Sequence, residues 1–210
     1  MSESKSALRQ RLRARRAALD ENEQQRAALH IVRHSKQLRA LRSARTVACY
    51  LPQGGEVGTL PLIELCWRLG KAVHLPVISH IPWERLWFAP YTPDSELIIN
   101  RYGIPEPDVH PRQQRRAQSL DIIFMPLVGF DNNGNRIGMG KAFYDKSLAF
   151  LQYRQYWRQP KLIGLAHECQ RVDALESEPW DIPLDAIVTG EKIYTFRSAP
   201  LLIPQQAARI

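Results

Sequence analysis

Residues 131–145 read D-N-N-G-N-R-I-G-M-G-K-A-F-Y-D; they follow an apolar run at 122–128 and lead into an amphipathic segment at 143–151. A strand, a glycine-rich loop and a helix start, in that order, direct free backbone N–H groups toward an anion. Glycines let the backbone approach a ligand closely, and nearby cations and a carboxylate suit a phosphate with its metal ion. The residues concerned are Arg136, Gly138, Gly140, Lys141 and Asp145.

The familiar nucleotide and calcium motifs do not fit this loop. A Walker A loop requires a glycine and a Ser or Thr where the chain has Asn135 and Ala142, and a Rossmann fingerprint requires its third glycine at Phe143. An EF-hand requires a glycine at Arg136. We interpret residues 131–135 as turn chemistry, because Asp and Asn side chains bond local backbone. On spacing alone, a plain strand-to-helix turn with a basic rim stays open as the alternative.

Composition is that of an ordinary globular protein. The chain has 210 residues, 44% hydrophobic and 24% charged, and we expect a single domain over residues 1–210. No run approaches the roughly 18 apolar residues of a membrane span, and no apolar signal region opens the chain. Cys49, Cys66 and Cys169 are odd in number and widely spaced, which favours reduced, buried thiols over a disulfide frame or zinc site. We therefore expect a cytoplasmic protein without a membrane partner.

The net charge of +8 comes from the amino-terminal segment. Residues 1–45 contain 12 Lys and Arg against 4 Asp and Glu, whereas residues 46–210 contain 17 of each. This distribution alone leaves open a nucleic-acid-binding protein that uses a basic helix, which would bind in a strongly salt-dependent way. That hypothesis leaves the glycine loop without a role.

Apolar periodicity predicts an α/β fold preceded by amino-terminal helices. Two helices are expected within residues 4–42, with a break at 20–23, and a further helix at 59–69. Unbroken apolar runs favour a mainly parallel sheet that is covered on both faces. The predicted strands are residues 46–51, 72–78, 86–89, 122–128, 162–166 and 186–189.

Segments outside these elements are assigned to the surface. Residues 90–118 are interpreted as a long surface excursion and 198–210 as a loose tail. His30 and His34 have the i, i+4 spacing of a metal site, but without a third ligand we expect solvated side chains.

Two glycine-bearing loops follow predicted strands at the edge where open α/β sheets bind ligands. One covers residues 52–58 and the other residues 131–141. Glu56 is the only ionisable group of the first loop, and its position alone does not separate a ligand contact from an exposed carboxylate.

Four segments of the sequence resemble those of a known family. Residues 124–145 (F-M-P-L-V-G-F-D-N-N-G-N-R-I-G-M-G-K-A-F-Y-D) are similar to the signature of the 5-formyltetrahydrofolate cyclo-ligases. Three shorter segments match the same family in order: K-S-A-L-R at 5–9, Y-L-P-Q-G-G-E-V-G-T at 50–59 and W-D-I-P-L-D at 180–185. The departures are Ala142, Phe143 and Trp180, where many members have glycine, tyrosine and histidine. None of them replaces a charged residue.

The resemblance implies an enzyme that uses Mg-ATP to convert 5-formyltetrahydrofolate into 5,10-methenyltetrahydrofolate, with release of ADP and phosphate. It implies a three-layer α/β/α sandwich, similar to the ribose-5-phosphate isomerase and CoA-transferase group. A sugar-phosphate isomerase or acyl-CoA transferase with this fold is therefore a further alternative, although it gives no reason for a magnesium carboxylate beside Lys141. We expect a monomer without a nucleic-acid partner.

The resemblance also implies roles for particular residues. The catalytic residues are Lys141 and Arg136, and the Mg²⁺ ligands are Asp145 and Asp181. The ATP contacts are Lys5, Arg9, Arg136, Gly138, Met139, Gly140, Lys141 and Tyr144. The folate contacts are Leu51, Glu56, Met139, Gly140, Lys141, Ala142 and Phe143. The remaining cations of the first helix are interpreted as a solvated face: Arg11, Arg13, Arg15 and Arg16.

Overall fold

The computed structural model describes residues 3–78, 85–153 and 159–196. Seven strands form one twisted sheet in the order β11-β10-β9-β6-β1-β2-β3. The five inner strands are parallel, and β3 and β11 pair antiparallel at the two edges. The bounds are β1 Thr46–Ala48, β2 Ala72–Ile78, β3 Leu86–Pro90, β6 Ile122–Pro126, β9 Lys161–Leu165, β10 Ala186–Val188 and β11 Ile193–Thr195.

The predicted strands are confirmed with small changes at their ends. The run predicted at 46–51 forms a strand only to Ala48, because its last residues turn out of the sheet into the 52–58 loop. The run at 122–128 ends at Pro126, and residues 129–130 then open a separate hairpin. β11 was not predicted, since its three residues are too few to show a period.

Helices α1 (Lys5–Ala17) and α2 (Glu21–Ser35) confirm the two amino-terminal helices. Asp20 accepts from the backbone N–H of Glu23 at 2.7 Å and Glu23 accepts from that of Asp20 at 2.9 Å, so a capping box starts α2 at the predicted break. A short α3 (Arg39–Ser43) follows where one continuous helix was predicted, because extended backbone at Leu38 interrupts it. α4 covers Leu60–Arg68.

Helices cover both faces of the sheet, as predicted for three layers. α2, α3 and α4 pack on one face around Ile31, Leu41 and Ile63, all at most 1% exposed. The other face is covered by a 3₁₀ turn at Ala117–Ser119 and by α5 (Phe143–Leu148), which continues as a 3₁₀ helix over Ala149–Tyr153. The expected likeness to the isomerase and CoA-transferase group stays a prediction.

The close approach of α1 to the hairpin β7 (Gly129–Phe130) and β8 (Arg136–Ile137) depends on one glycine. A Cβ built on Gly129 would lie 2.4 Å from Leu12 Cδ1, which is closer than real contacts allow. Leu12 is fully buried between the hairpin and the segment that contains Val172 and Leu175. The absence of a side chain at Gly129 thereby brings the basic helix against the glycine loop.

The segment predicted as a surface excursion forms a second small sheet. β4 (Leu97–Ile99) pairs with β5 (Pro105–Pro107), and Asn100 holds the connecting turn by accepting from the N–H groups of Tyr102 and Ile104. This turn reaches the edge where β2 ends, so the excursion does more than cover the surface. The predicted tail at 198–210 lies outside the described residues.

The two histidines of α2 contact backbone carbonyls that follow β10. The rings of His30 and His34 are not simply solvated, because their Nδ1 atoms donate to the carbonyls of Gly190 (3.0 Å) and Thr189 (2.9 Å) after β10. Their i, i+4 spacing thus docks α2 on the sheet edge.

The cysteines are free thiols, two of them buried as expected and the third, Cys169, half-buried. Among the described residues no helix has the length and apolar character needed to span a membrane.

Candidate active site

A cleft of about 950 Å³ lies where β1, β2 and β6 end. Residues that follow these strands form its floor, which places it at the carboxyl edge of the parallel sheet, as predicted. Its walls come from α1, the 52–58 loop, the glycine loop with α5, the β4–β5 turn and the segment 172–181. Segments that are far apart in sequence therefore meet at one concave site.

Asp131 organises the turn that precedes the glycine loop. Its fully buried carboxylate accepts from the backbone N–H groups of Asn133 (2.9 Å) and Asn135 (3.0 Å), and from the Asn135 side chain (2.9 Å). A further bond from the Leu175 N–H (3.1 Å) ties the opposite wall to the same carboxylate. The interpretation of 131–135 as turn chemistry is confirmed, and Asp131 holds two walls of the cleft at a fixed separation.

The glycine loop itself is exposed and has unusual backbone geometry. Gly138, Gly140 and Lys141 are exposed to the cleft. Gly140 has φ +92° and Ala142 has φ +52°, the only non-glycine residue with positive φ among the described positions. A Cβ on Gly138 would meet nothing within 4 Å, so the space above this glycine is open. The left-handed backbone at Ala142 turns the chain into α5.

Arg136 and Asp145 are paired with each other in this structure. Arg136 Nη2 donates to Asp145 Oδ1, and Nη1 donates to the Ile182 carbonyl at 2.6 Å. The Arg136 side chain is only 8% exposed, against 28% for Asp145. The predicted phosphate contact and the predicted metal ligand are thus one ion pair that spans the loop.

Lys5 and Arg9 extend from one face of α1 to different partners. Arg9 Nε donates to the Gly138 carbonyl at 2.9 Å, and its guanidinium lies 3.8 Å from the Cβ position of Gly140. Lys5 Nζ lies 2.8 Å from Glu178 Oε1, and this hydrogen bond raises the pKa of Lys5. Both groups of the Lys5–Glu178 pair are exposed, so the pair contributes little to stability and is free to exchange for an anionic ligand.

Lys141 has a neighbour that the sequence did not indicate. Its Nζ lies 3.5 Å from the centroid of the Tyr102 ring, a cation–π distance. The same ring meets Phe143 edge-on, with centroids 5.7 Å apart. Tyr102 belongs to the segment interpreted as a surface excursion. A lone tyrosine between β4 and β5 carries no periodic or motif signal that could have placed it there.

The prediction that Arg16 belongs to a solvated face is wrong. Arg16 is 3% exposed and lies beneath the 52–58 loop, where its Nη1 is 3.8 Å from Glu56 Oε1. A signal for this existed, because Arg16 follows Leu8 and Leu12 at helical spacing and so shares their buried face. Burial raises the pKa of Glu56, while the Gln53 N–H and the Arg16 guanidinium act in the opposite direction.

Asp181 occupies the wall that faces α1. Its Oδ2 accepts from the Glu178 N–H at 2.8 Å and its own N–H donates to the Glu178 carbonyl at 2.9 Å, which is a local turn. The carboxylate of Asp181 takes part in this turn and also lines the cleft. Within the described ranges no three His, Cys, Asp or Glu side chains cluster tightly enough to hold a metal alone. Asp145 and Asp181 both line the cleft, and one or two carboxylates are the protein ligands that Mg²⁺ usually takes.

The cleft brings together every residue to which the resemblance assigns a role. They come from α1, from the loop after β1, from the glycine loop with α5 and from the 172–181 segment. The full set in the cleft lining is Lys5, Arg9, Leu51, Glu56, Arg136, Gly138, Met139, Gly140, Lys141, Ala142, Phe143, Tyr144, Asp145 and Asp181. Their individual roles stay predictions.

A parallel α/β sheet with a basic, glycine-lined cleft at its carboxyl edge is the architecture of an enzyme that binds anionic ligands. Comparison with known proteins identifies the family of this enzyme. A model of the 5-formyltetrahydrofolate cyclo-ligase family matches residues 1–190. The 5-formyltetrahydrofolate cyclo-ligase of Escherichia coli K12 is 42% identical over 183 residues, which is 87% of this chain and 98% of the relative. That of Haemophilus influenzae is 37% identical, over 90% of this chain and 99% of the relative.

Solved structures agree with the sequence relatives. The 5,10-methenyltetrahydrofolate synthetase of Aquifex aeolicus superposes with a TM-score of 0.77 at 27% identity, covering 98% of this chain and 99% of that one. The synthetase of Mycoplasma pneumoniae gives a TM-score of 0.69 at 26% identity, covering 90% and 100%. The chain belongs to the 5-formyltetrahydrofolate cyclo-ligase family.

Proposed function

We propose that this protein converts 5-formyltetrahydrofolate into 5,10-methenyltetrahydrofolate, using Mg-ATP and releasing ADP and phosphate. The observation that carries the proposal is the cleft itself. Basic groups of α1 and of the glycine loop line it together with the Glu56 loop. One cavity thus has room and complementary charge for a nucleotide triphosphate and a pterin together.

Phosphoryl transfer overcomes the chemical difficulty of the reaction. A formamide oxygen is a poor leaving group, and transfer of the γ-phosphoryl of ATP to it gives an imidate phosphate and ADP. N10 of the folate then attacks the activated carbon, the C–O bond breaks, and inorganic phosphate leaves with the former formyl oxygen. Such a transfer requires in-line positioning and charge neutralisation more than covalent protein chemistry.

Lys141 and Arg136 neutralise charge on the phosphoryl group in this proposal. Lys141 is exposed to the cleft beside the open space above Gly138, and the Tyr102 ring limits the positions of its ammonium. Arg136 is held by Asp145 and the Ile182 carbonyl, so its guanidinium is ordered before any ligand arrives. Ordered donors act without reorganisation when the negative charge develops.

The remaining ATP and folate contacts follow the walls of the cleft. We assign Lys5, Arg9 and Tyr144 to the nucleotide, together with the backbone of the glycine loop, and Asp145 and Asp181 to Mg²⁺. These two carboxylates would hold the metal ion, whose positive charge would offset the charge of the phosphates. Glu56 and Leu51 would face the pterin, and the Glu56 carboxylate can accept hydrogen bonds from the amino and ring N–H groups of the pterin.

We further propose that the protein is a monomer of the cytoplasm. In support, one chain supplies all walls of the cleft, and its cysteines are free, as a reducing compartment requires. Light scattering at micromolar concentration tests the first statement, and a stable dimer would contradict it. Cell fractionation tests the second.

A single assay tests the reaction. The protein is mixed with Mg-ATP and 5-formyltetrahydrofolate, and the absorbance of the conjugated methenyl product is followed. We expect ATP-dependent and Mg-dependent formation of that chromophore. Folded protein that produces none would exclude the proposal, and salt-sensitive binding to RNA or DNA in its place would favour the nucleic-acid alternative.

A further inference from the structure

Arg16 is a buried cation that holds the 52–58 loop from below. Its Nε and Nη2 both donate to the Gly54 carbonyl, at 3.1 and 2.8 Å, and its Nη1 reaches the Leu127 carbonyl at 3.5 Å. One guanidinium thus connects α1, the loop after β1 and the end of β6. Buried cations are retained only where such partners compensate for lost hydration.

The loop is shaped around this guanidinium. Gly54 and Gly55 both have positive φ, +52° and +78°, and their Cβ positions would lie 3.7 and 3.5 Å from Arg16 atoms. The turn also brings Glu56 Oε2 to the Gln53 N–H at 3.1 Å. The remaining oxygen, Oε1, lies 3.8 Å from Arg16 Nη1. The direction of the carboxylate is therefore fixed by Gln53 on one side and by Arg16 on the other.

We propose that Arg16 is a positioning residue for the folate half of the reaction: it holds the Gly54 carbonyl and aims the Glu56 carboxylate into the cleft. The inference rests on the proposed function, in which Glu56 binds the pterin. Arg16 itself acts through Glu56 and the loop. Because α1 also carries Lys5 and Arg9, the same helix positions both halves of the cleft, but Arg16 acts on only one of them.

Titratable groups from four elements surround this contact. Arg16 approaches Glu56 from α1, Tyr50 from the end of β1 and Tyr144 from α5, and burial raises the pKa of both tyrosines. His167, after β9, lies near Gly55, and burial lowers its pKa. The tyrosines are neutral near pH 7, so Arg16 is the group whose charge acts most directly on the Glu56 carboxylate.

The test compares Arg16→Met and Arg16→Lys with Arg15→Met, an exposed neighbour on α1 that does not line the cleft. The measurements are kcat and KM for each substrate, the pH dependence of kcat/KM for the folate, and thermal unfolding. We expect Arg16→Met to raise the KM for 5-formyltetrahydrofolate roughly 10- to 100-fold, since small displacements of a binding group have effects of that order. The KM for ATP should change less than about twofold, and Arg15→Met should match the wild type.

The pH profile separates positioning from a purely structural role. Loss of the cation removes an interaction that lowers the pKa of Glu56. The acid limb of the pH profile of kcat/KM for the folate should therefore move to higher pH in Arg16→Met. Arg16→Lys keeps the charge but loses the two hydrogen bonds to Gly54. We therefore expect its acid limb to lie at nearly the same pH as that of the wild type, while its KM for the folate is raised. If Arg16→Met does not fold, the lysine variant alone decides, and an unchanged folate KM overturns the inference.

Two results would overturn the inference while the proposed function stands. One is an unchanged folate KM in folded Arg16→Met, and the other is a parallel loss for both substrates with no movement of the acid limb. A wild-type protein that forms no methenyl product would instead contradict the proposed function, and the inference with it. The double variant Arg16→Met with Glu56→Gln adds a check: the effect of Arg16→Met on folate should be largely lost when Glu56 is already neutral.

Discussion

The guanidinium of Arg136 and the carboxylate of Asp145 form an ion pair across the glycine loop, with Nη2 of Arg136 donating to Oδ1 of Asp145. The pair joins β8 to α5 over the exposed residues Gly138–Lys141. The two ends of the loop are therefore tied together without a bound ligand. The pair also keeps the predicted phosphate contact beside the predicted metal ligand, where a bound Mg-ATP would meet both.

Asp145→Asn should destabilise the ligand-free protein. Arg136 is almost fully buried and would lose its charged partner, which we expect to lower the free energy of unfolding by about 1–3 kcal/mol. Urea unfolding without nucleotide measures this, with the exposed Asp94→Asn as the matched control. The same variant should need more Mg²⁺ for half-maximal activity. Unchanged stability together with an unchanged Mg²⁺ requirement would remove Asp145 from both roles.

Lys141→Ala should strongly slow phosphoryl transfer and leave folate binding largely intact. The ammonium neutralises charge that develops on the transferred group, so kcat should fall by about 10²–10³-fold. Folate affinity, measured by calorimetry or fluorescence, should change only slightly. Lys36→Ala, at the exposed end of α2, serves as the control. An equal collapse of folate affinity would show that our division of roles in the cleft is wrong.

Glu56→Gln should gain stability at neutral pH and lose folate affinity. Burial raises the pKa of this carboxyl in the folded protein, so folding disfavours the charged form, and wild-type stability falls as pH rises from the ordinary value of 4.5 through the folded pKa. Above that range the glutamine variant should unfold at a higher temperature, and below pH 4.5 the difference should vanish.

The same variant should raise the KM for the folate about 10- to 100-fold, since a charged hydrogen-bond acceptor is lost. Thermal unfolding across a pH series and steady-state kinetics measure the two effects. Glu64→Gln, an exposed carboxyl on α4, provides the control. A glutamine variant that is less stable than the wild type at pH 8 would contradict the assigned cause of the shift.

Ala142→Gly should stabilise the glycine loop. Ala142 has φ +52°, a left-handed conformation that costs a Cβ-bearing residue about 1–2 kcal/mol, of which the added chain entropy of glycine offsets part. We expect a net gain of about 0.5–1 kcal/mol in unfolding free energy. Ala14→Gly, in the exposed middle of α1, should lose about 1 kcal/mol. Equal losses at both positions would mean that the backbone at Ala142 is not left-handed in solution.

Much of the fold was predictable because its signals are local. The capping box at Asp20 and the unbroken apolar runs of the inner strands follow from propensity and period over a few residues. The turn at 131–135 follows from Asp131 and its short-range hydrogen bonds. The edge strand β11 is too short for any of these signals, so only its pairing with β10 in the folded protein defines it.

The site was predictable where residues cluster in sequence and not where the fold alone brings them together. The glycine loop combines its glycines and charges within fifteen residues, so its chemistry can be read directly. Arg16 was misassigned because a basic residue on a basic helix normally faces water, although its spacing from Leu12 pointed inward. Tyr102 meets Lys141 only through the β4–β5 turn, a contact that no local pattern encodes.

The most direct test of the account follows the formyl oxygen. 5-Formyltetrahydrofolate labelled with ¹⁸O in the formyl group is turned over once with Mg-ATP, and the products are analysed by mass spectrometry. If the cleft transfers a phosphoryl group to that oxygen, one ¹⁸O atom should appear in inorganic phosphate for each methenyl group formed. Unlabelled phosphate, with the ¹⁸O released to water, would contradict the phosphoryl-transfer account.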